Sequence, residues 1–179
     1  MGLKKNKVYL IGFMGSGKST LGKKIAQALQ YKFSDLDSYI ESCAAESITS
    51  IFNTKGETYF RKLESECLSH FDTEKHMVIA TGGGTPCFND NMKHMLEQGC
   101  CVYIKMPEGA LFQRLQKAIP KRPLLADKTD DELRDFIHQL LEIRETTYLQ
   151  SQIVIDGMSI STPSLVPILK QKMEVKNYF

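Results

Sequence analysis

The run Gly12-Phe13-Met14-Gly15-Ser16-Gly17-Lys18-Ser19 fits the pattern G-x-x-x-x-G-K-[ST] at every fixed position. Glycines at this spacing let backbone N–H groups turn inward around phosphate oxygens, and a helix starting at the lysine adds its partial positive charge. In such a loop Lys18 reaches the β- and γ-oxygens of a nucleoside triphosphate, and Ser19 offers a hydroxyl to Mg²⁺. The N–H groups of Gly15, Ser16 and Gly17 through Thr20 complete the cradle. A glycine-rich turn without a ligand is the alternative. It would leave Lys18 as a cation opposing the helix dipole with nothing to offset it.

A phosphate loop does not by itself separate a kinase from a GTPase or a motor ATPase, so the second substrate must be sought elsewhere. Asp35 and Asp37 stand at the end of one apolar run, and Thr81-Gly82-Gly83-Gly84 follows another. Glycines in series after a strand allow backbone to approach a ligand with no side chain between. Plainer readings stay open. The aspartates could cap the next helix, Arg61 and Glu64 could be a surface i,i+3 pair, and Arg144 with Glu145 could lie on a solvated helix face. The chain has no obvious guanine-reading N-K-x-D and is too short for a motor's extra subdomains, which favours a small-molecule kinase.

The elements that must position these residues follow from periodicity. Lys7 to Ile11 reads as a buried strand, and Lys18 to about Leu29 as a helix with Leu21, Ile25, Ala28 and Leu29 on one stripe. Further strands are predicted over Lys32–Leu36, His76–Ala80, Cys100–Lys105 and Gln152–Asp156. Helices are predicted over about 38–44, 47–54, 57–71, Asn89–Gln98 (capped by Gly99), Pro107–Leu115, Asp130–Tyr148 and Pro163–Lys172. The segment from about 114 to 129, with Pro120, Pro123 and four basic residues (Lys117, Lys121, Arg122 and Lys128), interrupts the pattern as a mobile surface lid would. Alternating strands and helices predict a parallel sheet covered on both faces, with the site at the strand C-terminal ends.

With 179 residues, the expectation is one domain that buries about 70% of its unfolded surface. A net charge of +2 with scattered lysines and arginines does not indicate a nucleic-acid partner. Five cysteines, without paired C-x-x-C spacing, predict reduced and mostly buried thiols. The absence of a signal-peptide pattern and of any run of about 18 apolar residues points away from a membrane and to the cytoplasm. No exposed apolar stripe stands out, so a monomer is expected.

Taken in order, Gly12 to Ser19, Asp35-Leu36-Asp37, Gly56-Glu57 with Phe60-Arg61-Lys62-Leu63-Glu64, Gly82-Gly83-Gly84, Arg122-Pro123-Leu124-Leu125, and Arg144 with Tyr148 resemble shikimate kinase. The match runs from about residue 7 to 156. The resemblance implies ATP-dependent phosphorylation of the shikimate 3-hydroxyl, on the route to chorismate and the aromatic amino acids. It also implies the nucleoside monophosphate kinase type of fold: a three-layer α/β/α sandwich around a five-stranded parallel sheet in order 2-3-1-4-5, with a substrate-binding segment at about 35–64. By the same resemblance Arg61 and Arg144 hold the acceptor's carboxylate, and Asp37 orients the attacking hydroxyl and takes its proton or only positions it. Asp35 lies near Mg²⁺ through water, while Glu64 holds Arg61 or touches substrate. Gly82, Gly83 and Gly84 offer backbone N–H groups, Arg122 closes over the phosphates, and Arg114 is a second nucleotide contact. The acceptor chemistry agrees, since a carboxylate bearing three hydroxyls calls for guanidinium groups and for carboxylate acceptors.

Ala45 departs from the resemblance, because related sequences often carry Gly there, and alanine permits less backbone freedom. The base-contacting loop, expected near Gly157 to Thr162, shows no distinctive chemistry. Two other readings remain: a related kinase acting on gluconate or a nucleoside monophosphate, and a nucleotide-binding regulatory module that transfers nothing.

Overall fold

In the computed structural model, which describes residues 6–118 and 128–174, five strands form one parallel sheet in the order β2-β3-β1-β4-β5. These are β1 (Lys7–Ile11), β2 (Lys32–Asp35), β3 (Met77–Ala80), β4 (Cys100–Lys105) and β5 (Ile153–Asp156). Position in the sheet explains their composition. The central strands β1 and β3 are buried at every residue, and β4 at all but Lys105, so apart from Lys7 and Lys105 at their ends they are near-continuous apolar runs. The edge strand β5 alternates, with Ile153 and Ile155 inside and Val154 and Asp156 outside. Each fully buried Leu, Ile or Val here contributes about 1.5–3 kcal/mol of transfer free energy.

Helices flank the sheet on both faces: α1 (Lys18–Leu29), α2 (Leu36–Ala44), α3 (Ile48–Ser69), α4 (Asn91–Gln98), α5 (Glu108–Ala118), α6 (Asp130–Tyr148) and α7 (Thr162–Glu174). The result is the expected three-layer sandwich. α1 approaches closely at Gly22, where a Cβ would lie 2.6 Å from the Phe33 ring, so a larger residue would force the helix off the sheet.

Most boundaries fall within one or two residues of the sequence expectation, and four departures have a clear local reason. α2 begins at Leu36, because Asp35 ends β2 and caps the helix, accepting from the Ser38 amide at 3.4 Å. The helices expected over 47–54 and 57–71 are the two arms of α3, divided at Gly56, whose φ of 81° and ψ of 171° break the helical path. α4 begins at Asn91 and not Asn89, since Asn89 and Asp90 both adopt left-handed φ values of 50° and 56°. α5 continues to Ala118, three residues past its expected end at Leu115 and into the expected lid, and Gln116 donates to both carboxylate oxygens of Asp130 on α6 at 2.9 and 3.1 Å. Residues 119–127 of the expected lid, Arg122 among them, lie outside the described residues.

Candidate active site

β1, at the centre of the sheet, delivers the phosphate loop between its end at Ile11 and the start of α1. Gly17 stands at the N-cap of α1 with φ 95°, and no side chain caps the first turn, so its N–H groups are open to an anion. Lys18 is nearly buried and donates to the carbonyls of Gly12 (2.7 Å) and Phe13 (2.8 Å), which folds its ammonium back over the loop. From α5, Arg114 donates to the carbonyls of Gly15 (3.1 Å) and Ser16 (3.3 Å). That contact ties the second candidate nucleotide cation to the loop backbone. A cleft of about 860 Å³ beside it is lined by Thr20, Leu21 and Gln27 of α1, by Arg114, and by Gly157, Ile160 and Ser161 to Pro163 after β5. This is the stretch where sequence placed the base-contacting loop, and the volume suits a nucleoside.

A smaller cleft of about 220 Å³ runs between Lys18, Ser19, Asp35, Asp37 and Gly83. The Ser19 hydroxyl donates to Asp35 Oδ2 at 2.5 Å. These two hard oxygen ligands suit Mg²⁺, which takes one or two protein oxygens and fills its octahedron with water and phosphate. Among the described residues no group of three or more His, Cys, Asp or Glu could hold a metal, so the residues present fit a phosphate-borne ion and not an all-protein cage.

The triple glycine after β3 is the point on which the remaining candidates converge. A Cβ on Gly82 would lie 2.8 Å from Asp37 Oδ1 and 3.1 Å from Glu64 Oε1. One on Gly83 would lie 3.3 Å from the Met14 amide of the phosphate loop and 3.6 Å from Arg144 Nη1. One on Gly84 would lie 2.7 Å from Arg61 Nη2. Each glycine thus faces a different candidate; a side chain at Gly82 or Gly84 would push that candidate away, and one at Gly83 would crowd the Met14 amide of the phosphate loop while touching Arg144.

Arg61 and Glu64 are no surface pair. Glu64 is 1% exposed, accepts from Arg61 Nη1 at 2.9 Å and from the Thr85 hydroxyl at 2.5 Å, and so binds α3 to the turn after the glycines. Glu57, one turn back, accepts from Arg61 Nε and Nη2 at 3.1 and 3.0 Å. Arg144 projects from α6 one turn before Tyr148, whose hydroxyl donates to the Gly83 carbonyl at 2.5 Å. Burial pushes the Tyr148 phenol well above its ordinary pKa, so it remains a neutral donor there. Burial also raises the Cys87 thiol, while the nearby guanidinium groups of Arg144 and Arg61 act in the opposite direction.

The structure therefore brings together Lys18, Ser19, Asp35, Asp37, Arg61, Glu64, Gly82, Gly83, Gly84, Arg114 and Arg144 along one edge of the sheet; Arg122 is outside the described residues. Glu57, Thr85, Phe88, Asn89 and the Tyr148 hydroxyl belong to the same network without having been singled out as site residues. The i,i+4 spacings of Glu57 to Arg61 and of Arg144 to Tyr148 carried a signal. Phe88 and Asn89 carried none.

Comparison with known proteins gives one answer. The family model described as shikimate kinase matches residues 14–174. A shikimate kinase from Bacteroides thetaiotaomicron is 43% identical over 151 residues, covering 84% of this chain and 86% of the relative. A crystal structure of shikimate kinase from the same organism superposes with a TM-score of 0.86 at 40% identity, covering 94% of this chain and 98% of the other. A shikimate kinase from Acinetobacter baumannii, solved in complex with shikimate, gives a TM-score of 0.83 at 29% identity over 97% and 96% of the two chains. With a full phosphate loop, and with an acidic residue and two arginines gathered at the triple glycine, the chain belongs to the shikimate kinase family.

Proposed function

We propose that this protein transfers the γ-phosphoryl group of ATP to the 3-hydroxyl of shikimate, giving shikimate 3-phosphate and ADP. The observation that carries the reading is the convergence of Asp37, Arg61 and Arg144 on Gly82 to Gly84, next to the phosphate loop at Gly83. Two guanidinium groups match a carboxylate, and a carboxylate oxygen at Gly82 matches a hydroxyl to be activated.

Arg61 and Arg144 anchor the acceptor's carboxylate and so fix its ring relative to the phosphate loop. Asp37 aligns the attacking hydroxyl and receives its proton as the new O–P bond forms. Lys18 exchanges its loop carbonyls for β- and γ-oxygens and offsets the charge that moves toward the leaving ADP. Ser19 and Asp35 would hold Mg²⁺, which supplies charge neutralisation on the phosphates when bound. Arg114 steadies the loop from outside, and Arg122 enters the reading through family resemblance alone.

The protein acts as a cytoplasmic monomer on small molecules, without a nucleic-acid or membrane partner. A net charge of +2 with scattered cations agrees with small-molecule substrates in place of nucleic acid, and no helix among the described residues is long and apolar enough to cross a membrane. ADP release from Mg·ATP should rise strongly with shikimate and not with gluconate, AMP or no acceptor, and should stop on chelation with EDTA. Stimulation by gluconate or AMP instead would reassign the acceptor pocket.

A further inference from the structure

The loop between the triple glycine and α4 holds Arg61 at both ends of the residue. The Phe88 ring lies 4.1 Å from the Arg61 guanidinium carbon, closer than Phe60 (5.1 Å) or Phe52 (5.9 Å). The next residue, Asn89, donates from Nδ2 to the Arg61 backbone carbonyl at 3.0 Å and to the Ser65 hydroxyl at 3.1 Å. That hydroxyl donates to the same carbonyl at 3.0 Å, so Asn89 closes a three-membered ring of hydrogen bonds on one turn of α3. Asn89 reaches it only in a left-handed backbone conformation, φ 50°, followed by Asp90 at φ 56°. Asn and Asp tolerate this conformation better than other residues with a Cβ, so the pair can turn the chain back toward α3.

From this geometry we propose that Phe88 and Asn89 are positioning residues for acceptor binding: the Phe88 face and the Asn89 amide together aim the Arg61 guanidinium at the acceptor's carboxylate. The proposal rests on the reading of Arg61 as a carboxylate anchor. The physical need is specific. Glu57 and Glu64 both attract Arg61 with full negative charge, which by itself would satisfy the guanidinium and turn it away from substrate. A flat aromatic face fixes the plane of the guanidinium without consuming its N–H donors, so its edge is left for a third carboxylate. A tether on the main chain then sets how far along α3 that plane sits.

The test is a set of steady-state measurements on full-length variants, with shikimate binding by calorimetry in parallel. Phe88→Leu keeps bulk but removes the face, and should raise the shikimate KM and Kd about 5- to 30-fold while the ATP KM stays within about twofold. Phe88→Tyr keeps the face and should restore shikimate KM to within about twofold. Asn89→Gly keeps the left-handed backbone and removes the amide; it should raise shikimate KM about 3- to 10-fold. In an Arg61→Ala background, Phe88→Leu should change kcat/KM for shikimate less than twofold, because the residue it acts through is gone. Equal increases in both KM values, an unchanged shikimate KM, or a full Phe88→Leu effect without Arg61 would each overturn the proposal. Wild-type protein that shikimate does not stimulate at all would instead overturn the functional reading beneath it.

Discussion

Asp37 sits in the first turn of α2 with Oδ1 directed at Gly82, where even a methyl group would be too close. Replacing it by Asn preserves shape but removes the carboxylate charge; on the proposed role of Asp37 at the acceptor hydroxyl, kcat should fall about 100-fold or more while the ATP KM changes less than about twofold. Near-normal turnover of Asp37→Asn in the coupled ADP assay would remove Asp37 from the chemistry. The phosphate loop was legible in the sequence because its ligand groups are contiguous, and Asp37 and the glycines because strand ends could be read. Asp35 has the role the plainer reading gave it, capping α2, and also accepts from Ser19. The Phe88 and Asn89 contacts with Arg61 were not legible, since they join residues more than a helix apart through left-handed backbone that no side-chain pattern announces.

At the level of elements, the backbone rule that shapes α2 and α3 gives two effects of opposite sign. Ala45 ends α2 at φ 50°, a conformation that costs a residue with a Cβ about 1–2 kcal/mol, whereas glycine loses only about 0.5–1 kcal/mol in unfolded-state entropy. Ala45→Gly should therefore stabilise the protein by about 0.5–1 kcal/mol. Gly56 lies at φ 81°, ψ 171°, with open space where a Cβ would point, so Gly56→Ala should cost about 1–3 kcal/mol from backbone strain alone. Urea unfolding midpoints of the two variants check both signs, and shifts in the same direction would contradict the argument. The same local chemistry decided which boundaries could be read from sequence. The limits of β1, α1, β4 and α6 were readable because glycines, a capping threonine and sharp changes of period flank them; Thr129 makes a full capping box with Glu132. The start of α4 was not, because Asn89 and Asp90 look like helix-starting residues and instead turn left-handed.

At the scale of the molecule, the exposed large apolar residues among those described, Tyr59, Ile143, Leu149, Val154, Met158 and Ile168, are spread over four elements and two loops, the pattern of an ordinary surface. Sedimentation equilibrium should accordingly return a mass near 20.3 kDa at micromolar concentration, and a dimer mass would contradict the monomer. The strand order was implied by resemblance, while the parallel, two-faced sheet followed from the alternation of elements; periodicity alone could not have ordered five short apolar runs. That order has a consequence during synthesis. β1 leaves the ribosome first, yet its neighbours are β3, through Lys7 to Met77, and β4, through Val8 to Cys100. At about 5–20 residues per second, a strand that is apolar after Lys7 waits roughly 5–20 s for the partner that completes it. The phosphate loop thus hangs from a strand that precedes both of its sheet neighbours in the chain, and Val8 to Ile11 have no strand partner until β3 and then β4 emerge.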